Sequence, residues 1–322
     1  MLVVGTADGR VRLVDPATGV VRWEVQSDPG PYLRNEAVIS PDGRFVASVV
    51  GSEEHWTLWD SASGSAWMTG ARHDGTGACS CPVTAAGVRT SLDGGCPVHA
   101  HTAGLLAVAF PPCGAKFATG GQDRAVILWD VRTGNAERRM QGDVGVTPIP
   151  VWEVSALAFS ADGARMASGS DHGVIRIYDS ATGALLRKIA GHLDALDNDH
   201  RLSFVGVQFS PTDSRRLLFC GSDWLFGRQW DVESGQPLEY VGYDVAEFSP
   251  DGSTIITANC NDPDLLLIDA ASGETLRAMV GHTSEARSAS FSLDGSKLAS
   301  GDSDNTGECS LTRRALDPKA VN

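Results

Sequence analysis

Several features that define other protein classes are missing from this sequence of 322 residues. No apolar run approaches the ~20 residues that a membrane-spanning helix needs, so the sequence predicts no membrane segment. The first residues, Met1–Val4, lack the basic stretch and the long apolar core of a signal peptide. We therefore expect an intracellular protein, either cytoplasmic or nuclear.

An excess of positive charge is also missing. The chain has 26 Lys and Arg against 40 Asp and Glu, which gives a formal net charge of −14. Nucleic acids and anionic membranes are bound by basic surfaces, so the composition argues against both as the main ligand. The seven Cys are an odd number, which fits a reducing compartment better than a disulfide framework.

Sequence signals of catalysis are equally scarce. There is no phosphate-binding glycine motif. Ser170, Asp171 and His172 are adjacent, but they fall in a predicted β-turn and not in the strand-to-helix turn that a nucleophilic serine motif requires. We therefore expect no catalytic residues and no cofactor.

Short apolar runs separated by tight turns are what the sequence does contain. The clearest set is Leu105–Phe110, Lys116–Thr119, Ala125–Trp129 and Glu137–Gln141. Runs of this length are too short for helices, and their Val, Ile, Phe and Trp content favours strands. The segment from His101 to Gln141 is therefore predicted to be a four-stranded antiparallel meander.

The pattern of this meander recurs along the chain. In each copy the third strand closes on an apolar residue followed by Asp, and a Gly follows four residues later. The Asp residues are Asp15, Asp60, Asp130, Asp179, Asp231 and Asp269. Neighbouring markers are 45, 70, 49, 52 and 38 residues apart, and a period of about 40–45 residues with one meander per repeat is typical of propeller blades.

These repeats resemble those of the WD-repeat (β-transducin-like) family over nearly the whole chain. Gly191-His192 and Gly281-His282 match the dipeptide that opens the family's repeat, and Trp59-Asp60, Trp129-Asp130 and Trp230-Asp231 match the dipeptide that names it. The resemblance implies an all-β, seven-bladed β-propeller of WD repeats, with incomplete terminal blades. We expect residues 1–322 to form a single propeller domain with an inserted loop at about 70–100.

The best-formed repeat also carries the polar residues of the family's structural network, which are His101, Thr119, Asp123 and Trp129. Trp supplies a donor, Thr and His can each donate and accept, and Asp only accepts. A chain from Trp129 to Thr119 to His101 to Asp123 would satisfy each buried polar group. A buried network whose members are all hydrogen-bonded to one another leaves no room for substrate, which favours a structural role over catalysis.

The inserted loop holds Cys79, Cys81, Cys96 and His99. Thiols and imidazoles are suitable zinc ligands in type and number, but the spacing is not a standard one. Two other interpretations stay open, which are an irregular loop with incidental thiols and a pair of reactive thiols.

Partner binding is predicted on the loop-rich face of the propeller. Three long irregular segments, Gly70–Ala100, Gly142–Trp152 and Gly191–Leu202, are all of the type that opens on that face. The predicted partner-binding residues are Glu53, Arg124, His172, Asp197, Asp199 and Trp224. Trp and Arg are frequent interface anchors, and acidic loops would attract a basic or amphipathic peptide segment of another protein. The alternative for Trp224 is that it packs against a neighbouring blade.

The function implied by the resemblance is a non-enzymatic scaffold or adaptor for protein complexes. One alternative is a propeller enzyme or metal-binding protein, either quinoprotein-like or with zinc in the 70–100 insertion. A single Asp15–Trp23 stretch resembles the quinoprotein repeat, but the equivalent Trp is not repeated in the other copies. Another alternative is a WD-repeat regulatory domain of a larger protein.

Overall fold

A computed structural model describes most of the chain as strands and tight turns. The residues that it describes are 1–5, 10–15, 18–26, 35–50, 56–70, 83–84, 101–141, 153–171, 173–190, 205–221, 227–242, 245–258, 264–280, 282–284, 286–292, 294–302 and 310–312. The chain divides into two units, Met1–Phe159 with Asp179–Ala184, and Ser160–Tyr178 with Leu185–Asn322. Among the described residues, no helix is long and apolar enough to cross a membrane.

The strands of the first unit form short antiparallel meanders. They are β1 (Leu2–Gly5), β2 (Arg10–Val14), β3 (Val21–Gln26), β4 (Asn35–Ile39), β5 (Phe45–Val50), β6 (Trp56–Asp60), β7 (Ala66–Gly70), β8 (Val83–Thr84), β9 (Leu105–Ala109), β10 (Lys116–Gly121), β11 (Ala125–Asp130), β12 (Ala136–Gln141) and β13 (Val154–Phe159). The sheets β1–β3, β4–β8 and β9–β12 are each arranged in chain order.

The second unit repeats this plan. Its strands are β14 (Arg165–Ser170), β15 (Val174–Asp179), β16 (Leu185–Ala190), β17 (Val205–Phe209), β18 (Arg216–Gly221), β19 (Gly227–Asp231), β20 (Pro237–Gly242), β21 (Val245–Phe248), β22 (Thr254–Ala258), β23 (Leu265–Asp269), β24 (Thr275–Met279), β25 (Ala286–Phe291), β26 (Leu298–Asp302) and β27 (Ser310–Thr312). Sheets β17–β20 and β21–β24 have four strands, and β25–β27 has three in the described part.

The predicted antiparallel meanders are confirmed, whereas the closed seven-bladed ring stays a prediction. The predicted strands of the 101–141 repeat agree with β9–β12 to within two residues at each end. One feature differs from the sequence-based expectation. Val83 and Thr84, inside the segment predicted as an irregular loop, form β8 and pair with Thr69 and Met68 at the outer edge of β7.

The recurring Asp explains the tight turn between the third and fourth strands of each meander. The carboxylate of Asp130 accepts a hydrogen bond from the backbone N–H of Thr133 at 2.7 Å, and the N–H of Gly134 donates to the carbonyl of Asp130 at 2.8 Å. Gly134 has φ 70°, which a residue with a side chain rarely adopts. The same bonds recur around Asp60, Asp179, Asp231 and Asp269.

Apolar residues of the inner strands form the core of each unit. In the first unit, Trp56 packs edge-on against Phe117 with ring centroids 4.7 Å apart and lies 5.1 Å from the ring of Trp129. In the second unit, one cluster is formed by Leu218, Val241, Phe248, Ile255 and Ala270. The outer strands are half exposed, as β12 shows with buried Met140 beside exposed Arg138.

Candidate functional site

A buried chain of hydrogen bonds connects the strands of the sheet β9–β12. Trp129 on β11 donates its indole N–H to the hydroxyl of Thr119 on β10 at 2.7 Å. The same hydroxyl lies 2.8 Å from Nε2 of His101, and Nδ1 of His101 lies 2.8 Å from Oδ1 of Asp123. The structure therefore brings together His101, Thr119, Asp123 and Trp129, as their spacing in the sequence predicts.

Asp123 is the acceptor on which this network converges. Besides His101, its carboxylate accepts hydrogen bonds from the backbone N–H of Thr102 at 3.0 Å, from the N–H of Ala125 at 3.2 Å, and from Nη2 of Arg139 at 2.9 Å. Burial alone would raise the pKa of Asp123, but the hydrogen bond and the charge of His101, together with the two backbone amides, lower it to about 2. The carboxylate is therefore ionised at neutral pH.

Arg139 and Gln141 belong to the site although the sequence analysis did not select them. Gln141 donates from Nε2 to the carbonyl of Asp123 at 3.0 Å and accepts from Nε of Arg139 at 3.2 Å. Both residues reach the turn because β12 runs antiparallel to β11 with Gln141 opposite Ala125. That register could have been deduced by pairing the predicted third and fourth strands outward from their connecting turn.

Arg124 follows Asp123 in the β10–β11 turn and has an unusual backbone. Its φ is 65°, and its N–H donates to the carbonyl of Gly121 at 3.1 Å. Among the described residues, the other positive φ values belong to glycines, and Gly173 holds the corresponding place after β14 with φ 72°. A side chain in this conformation costs about 1 kcal/mol relative to glycine.

The side chain of Arg124 is half-buried, and its Nε is shielded from solvent and has no hydrogen-bond partner among the residues that the structure describes. A guanidinium offers a fork of donors that matches a carboxylate or a backbone carbonyl. This turn therefore combines a strained backbone with an unused donor, a combination associated with ligand-contacting positions.

Parts of the same network are seen in other sheets, as far as their residues are described. In β4–β8, Trp59 donates to the hydroxyl of Ser48 at 2.8 Å, which reproduces the pair of Trp129 and Thr119. Near the last sheet, Nε2 of His282 lies 2.6 Å from the hydroxyl of Ser300. In β17–β20, Trp230 is buried, but its indole N–H has no hydrogen-bond partner among the described residues, because Phe219 occupies the position of Thr119.

Most other predicted site residues lie outside the described part of the chain. These are the predicted partner-binding residues Glu53, His172, Asp197, Asp199 and Trp224, and the predicted zinc ligands Cys79, Cys81, Cys96 and His99. Within the described ranges, no group of three or more His, Cys, Asp or Glu could hold a metal ion. Zinc binding by the insertion stays a prediction that elemental analysis of chelator-free protein can test.

Comparison with known proteins agrees with the architecture. A family model described as "WD domain, G-beta repeat" matches residues 95–130, 149–179 and 273–306. A curated relative, "Autophagy-related protein 16" of Arabidopsis thaliana, is 25% identical over 212 residues, which are 65% of this chain and 38% of the relative. The chain thus matches well under two thirds of the length of that relative. The chain therefore carries three stretches that match the WD repeat, and these contain the His101–Thr119–Asp123–Trp129 network and the turn aspartates Asp130 and Asp179.

Proposed function

We propose that this protein is a non-enzymatic scaffold or adaptor that binds another protein through the β10–β11 turn and the predicted partner-binding residues. WD repeats are in general protein-interaction scaffolds. The observation that carries the proposal is the positive φ of Arg124, because a backbone of this conformation normally has a glycine. Backbone strain of this kind is expected where the side chain, here the guanidinium, contacts a binding partner.

A non-enzymatic role is supported by the chemistry of the network. The side chains of His101 and Asp123 are 1% and 3% exposed, and they are hydrogen-bonded to each other. A His–Asp pair that acts as a base must reach the proton of a substrate, which a buried pair cannot do. The turn Asp residues are engaged by backbone and hydroxyl groups, which suits capping and not proton transfer.

The proposed partner is a peptide segment of basic or amphipathic character. Asp197, Asp199 and Glu53 would attract its cationic residues, and Trp224 would contact its apolar face. The guanidinium of Arg124 requires an acceptor, which an amphipathic segment can provide with a carboxylate or a free carbonyl. Because one relative is named an autophagy-related protein, proteins of autophagy are reasonable candidates for the partner.

The sharpest test uses Arg124→Gly, because glycine removes the guanidinium and also relieves the backbone strain. We expect this variant to lose partners in affinity purification from the native cell while its melting temperature is unchanged or higher. Arg132→Ala is the matched control, since Arg132 is an exposed cation at the other end of β11. If both variants recovered all partners equally, the β10–β11 turn would be excluded as a binding surface.

A second variant tests the predicted residues outside the described part. Trp224→Ala combined with Asp197→Asn and Asp199→Asn should lose partners and keep its melting temperature. Full retention of partners would place the binding surface elsewhere on the protein.

A regulatory domain within a longer protein is the second candidate. The observation that favours it is the alignment with only 38% of the length of the relative. Immunoblotting of the native cell with an antibody against this chain distinguishes the candidates, because a larger band would support a regulatory domain and a band near 33.9 kDa would oppose it.

A further inference from the structure

One carboxylate connects two neighbouring sheets of the second unit. Glu247 lies on β21, and its Oε1 accepts a hydrogen bond from the hydroxyl of Ser290 at 3.1 Å and from the backbone N–H of Phe291 at 3.2 Å. Both donors belong to β25, the first strand of the following sheet. The contact joins the first strands of two sheets, and we refer to Glu247, Ser290 and Phe291 as the β21–β25 joint.

The preceding pair of sheets has the same joint with a neutral side chain. Gln208 on β17 accepts from the backbone N–H of Phe248 through its Oε1 at 2.7 Å. Gln208 precedes Phe209, and Glu247 precedes Phe248, so the two acceptors hold equivalent positions. In both joints the donor is the amide of a Phe on the next first strand. An amide suffices for this bond, and the distinctive property of Glu247 is that it can ionise.

Few charged groups surround Glu247. The strands β17 and β22, which pack against β21, carry no titratable residue. On β18, Arg216 donates to the carbonyl of Ala270 and the thiol of Cys220 lies near the carbonyl of Gly206. Arg287 is the titratable residue of β25, and its side chain lies outside the described part. Thus no described cation is paired with the carboxylate.

The protonation state of Glu247 follows from this environment. Burial raises the pKa of Glu247 from 4.5 to about 7, and the hydrogen bonds from Phe291 and Ser290 oppose this shift only in part. Near neutral pH the joint therefore exists in two forms, one with a neutral acid and one with an ionised carboxylate.

We propose that the β21–β25 joint is a pH-sensitive contact that is closed when Glu247 is protonated and opens more readily when Glu247 ionises. The protonated form is the neutral counterpart of the Gln208 joint. The ionised form keeps both donors, but its partly buried charge is paired with no cation of the described residues, and solvent stabilises that charge better in the open state. Opening would free the amide of Phe291 and the edge of β25 that faces β21.

The direction of the pH effect follows from linkage. The open joint exposes a glutamate of ordinary pKa, 4.5, whereas the closed joint has a pKa of about 7. The stabilising effect is complete below 4.5 and is lost as the pH rises towards 7 and just above it. Between pH 6 and pH 8 the equilibrium constant for opening should rise about tenfold.

Hydrogen exchange of the Phe291 amide in the full chain tests the proposal. In the wild type, its protection factor should fall about tenfold from pH 6 to pH 8. In Glu247→Gln, which keeps an acceptor and removes the titration, the protection factor should be the same at both pH values. Gln208→Glu is the converse variant, and it should transfer the pH dependence to the amide of Phe248.

Two results would overturn the proposal. One is a wild-type Phe291 protection factor that is equal at pH 6 and pH 8, and the other is a Glu247→Gln variant with the same pH dependence as the wild type. If circular dichroism shows that Glu247→Gln is unfolded, the wild-type profile and the Gln208→Glu variant decide the question by themselves.

Discussion

The sheets β9–β12 and β17–β20 follow the same plan, yet they treat the tryptophan of the third strand differently. Trp129 donates to Thr119 and, through it, connects to His101 and Asp123. Trp230 is as deeply buried, at 5% exposed against 6% for Trp129, but its indole N–H finds no acceptor in the described part of the chain. The difference arises at one position, where the first sheet has the hydroxyl of Thr119 and the second has the phenyl ring of Phe219.

This comparison separates two sources of stability. The meander forms in both sheets, so apolar packing and turn chemistry are sufficient for it. In β17–β20, the apolar side chains of Leu217, Phe219 and Trp230 fill the space at the cost of an unpaired donor. In β9–β12, the network fixes one arrangement of strands, turn and Arg139. That arrangement is also the one that holds the strained backbone of Arg124.

The largest effect is expected for Asp123→Ala. This change removes the acceptor of His101, of the Thr102 and Ala125 amides and of the Arg139 guanidinium, and we expect the free energy of unfolding to fall by about 3 kcal/mol. Asp130→Ala is the control in the same sheet, because it removes only a turn cap and should cost about 1 kcal/mol. Urea denaturation followed by circular dichroism measures both, and equal costs would mean that the network adds nothing beyond a turn.

A smaller effect distinguishes the two tryptophans directly. Trp129→Phe and Trp230→Phe remove the same atoms from similar depths, so their cavity costs should be comparable. Trp129→Phe also loses the hydrogen bond to Thr119, whereas Trp230→Phe deletes a donor that was unpaired. We expect the first variant to be less stable than the second by about 1 kcal/mol in urea midpoints converted to free energies. The opposite order would show that the indole N–H of Trp129 is not important for stability.

The sequence predicts the network residues that lie within one meander, but not the residues whose role depends on the pairing of neighbouring strands. His101, Thr119, Asp123 and Trp129 could be selected because their spacing within one meander fixes their geometry. Arg139 was missed because its role depends on the register of β12 against β11.

Glu247 and β8 were missed for a related reason. The burial of Glu247 results from the approach of β25, and no periodicity within β21 encodes that approach. The pairing of β8 with β7 is equally non-local, because Val83 and Thr84 are too few to form a recognisable strand pattern.

The smallest effect concerns the response of the two sheets to acid. Asp123 has a folded-state pKa of about 2, below its ordinary value of 3.8, so its contribution to stability is present above 3.8 and is lost as the pH falls towards 2. Between pH 5 and pH 3.5 the loss from this residue should be about half a kcal/mol. In β17–β20 Phe219 replaces Thr119, so the described part of that sheet lacks the hydroxyl that links the tryptophan to the network, and we expect the amides of β19 to be less sensitive to acid than those of β11.

Asp123→Asn isolates this contribution, because asparagine keeps an acceptor and cannot titrate. Between pH 5 and pH 3.5, hydrogen exchange should show a smaller loss of protection for the β11 amides in this variant than in the wild type. The β19 amides should lose the same protection in the variant as in the wild type. The recurring turn aspartates, such as Asp231, also have lowered pKa values, but they occur in both sheets and cancel in the comparison. If β11 and β19 lost protection equally in the wild type, the acid response would come from those shared turns and not from the network around Asp123.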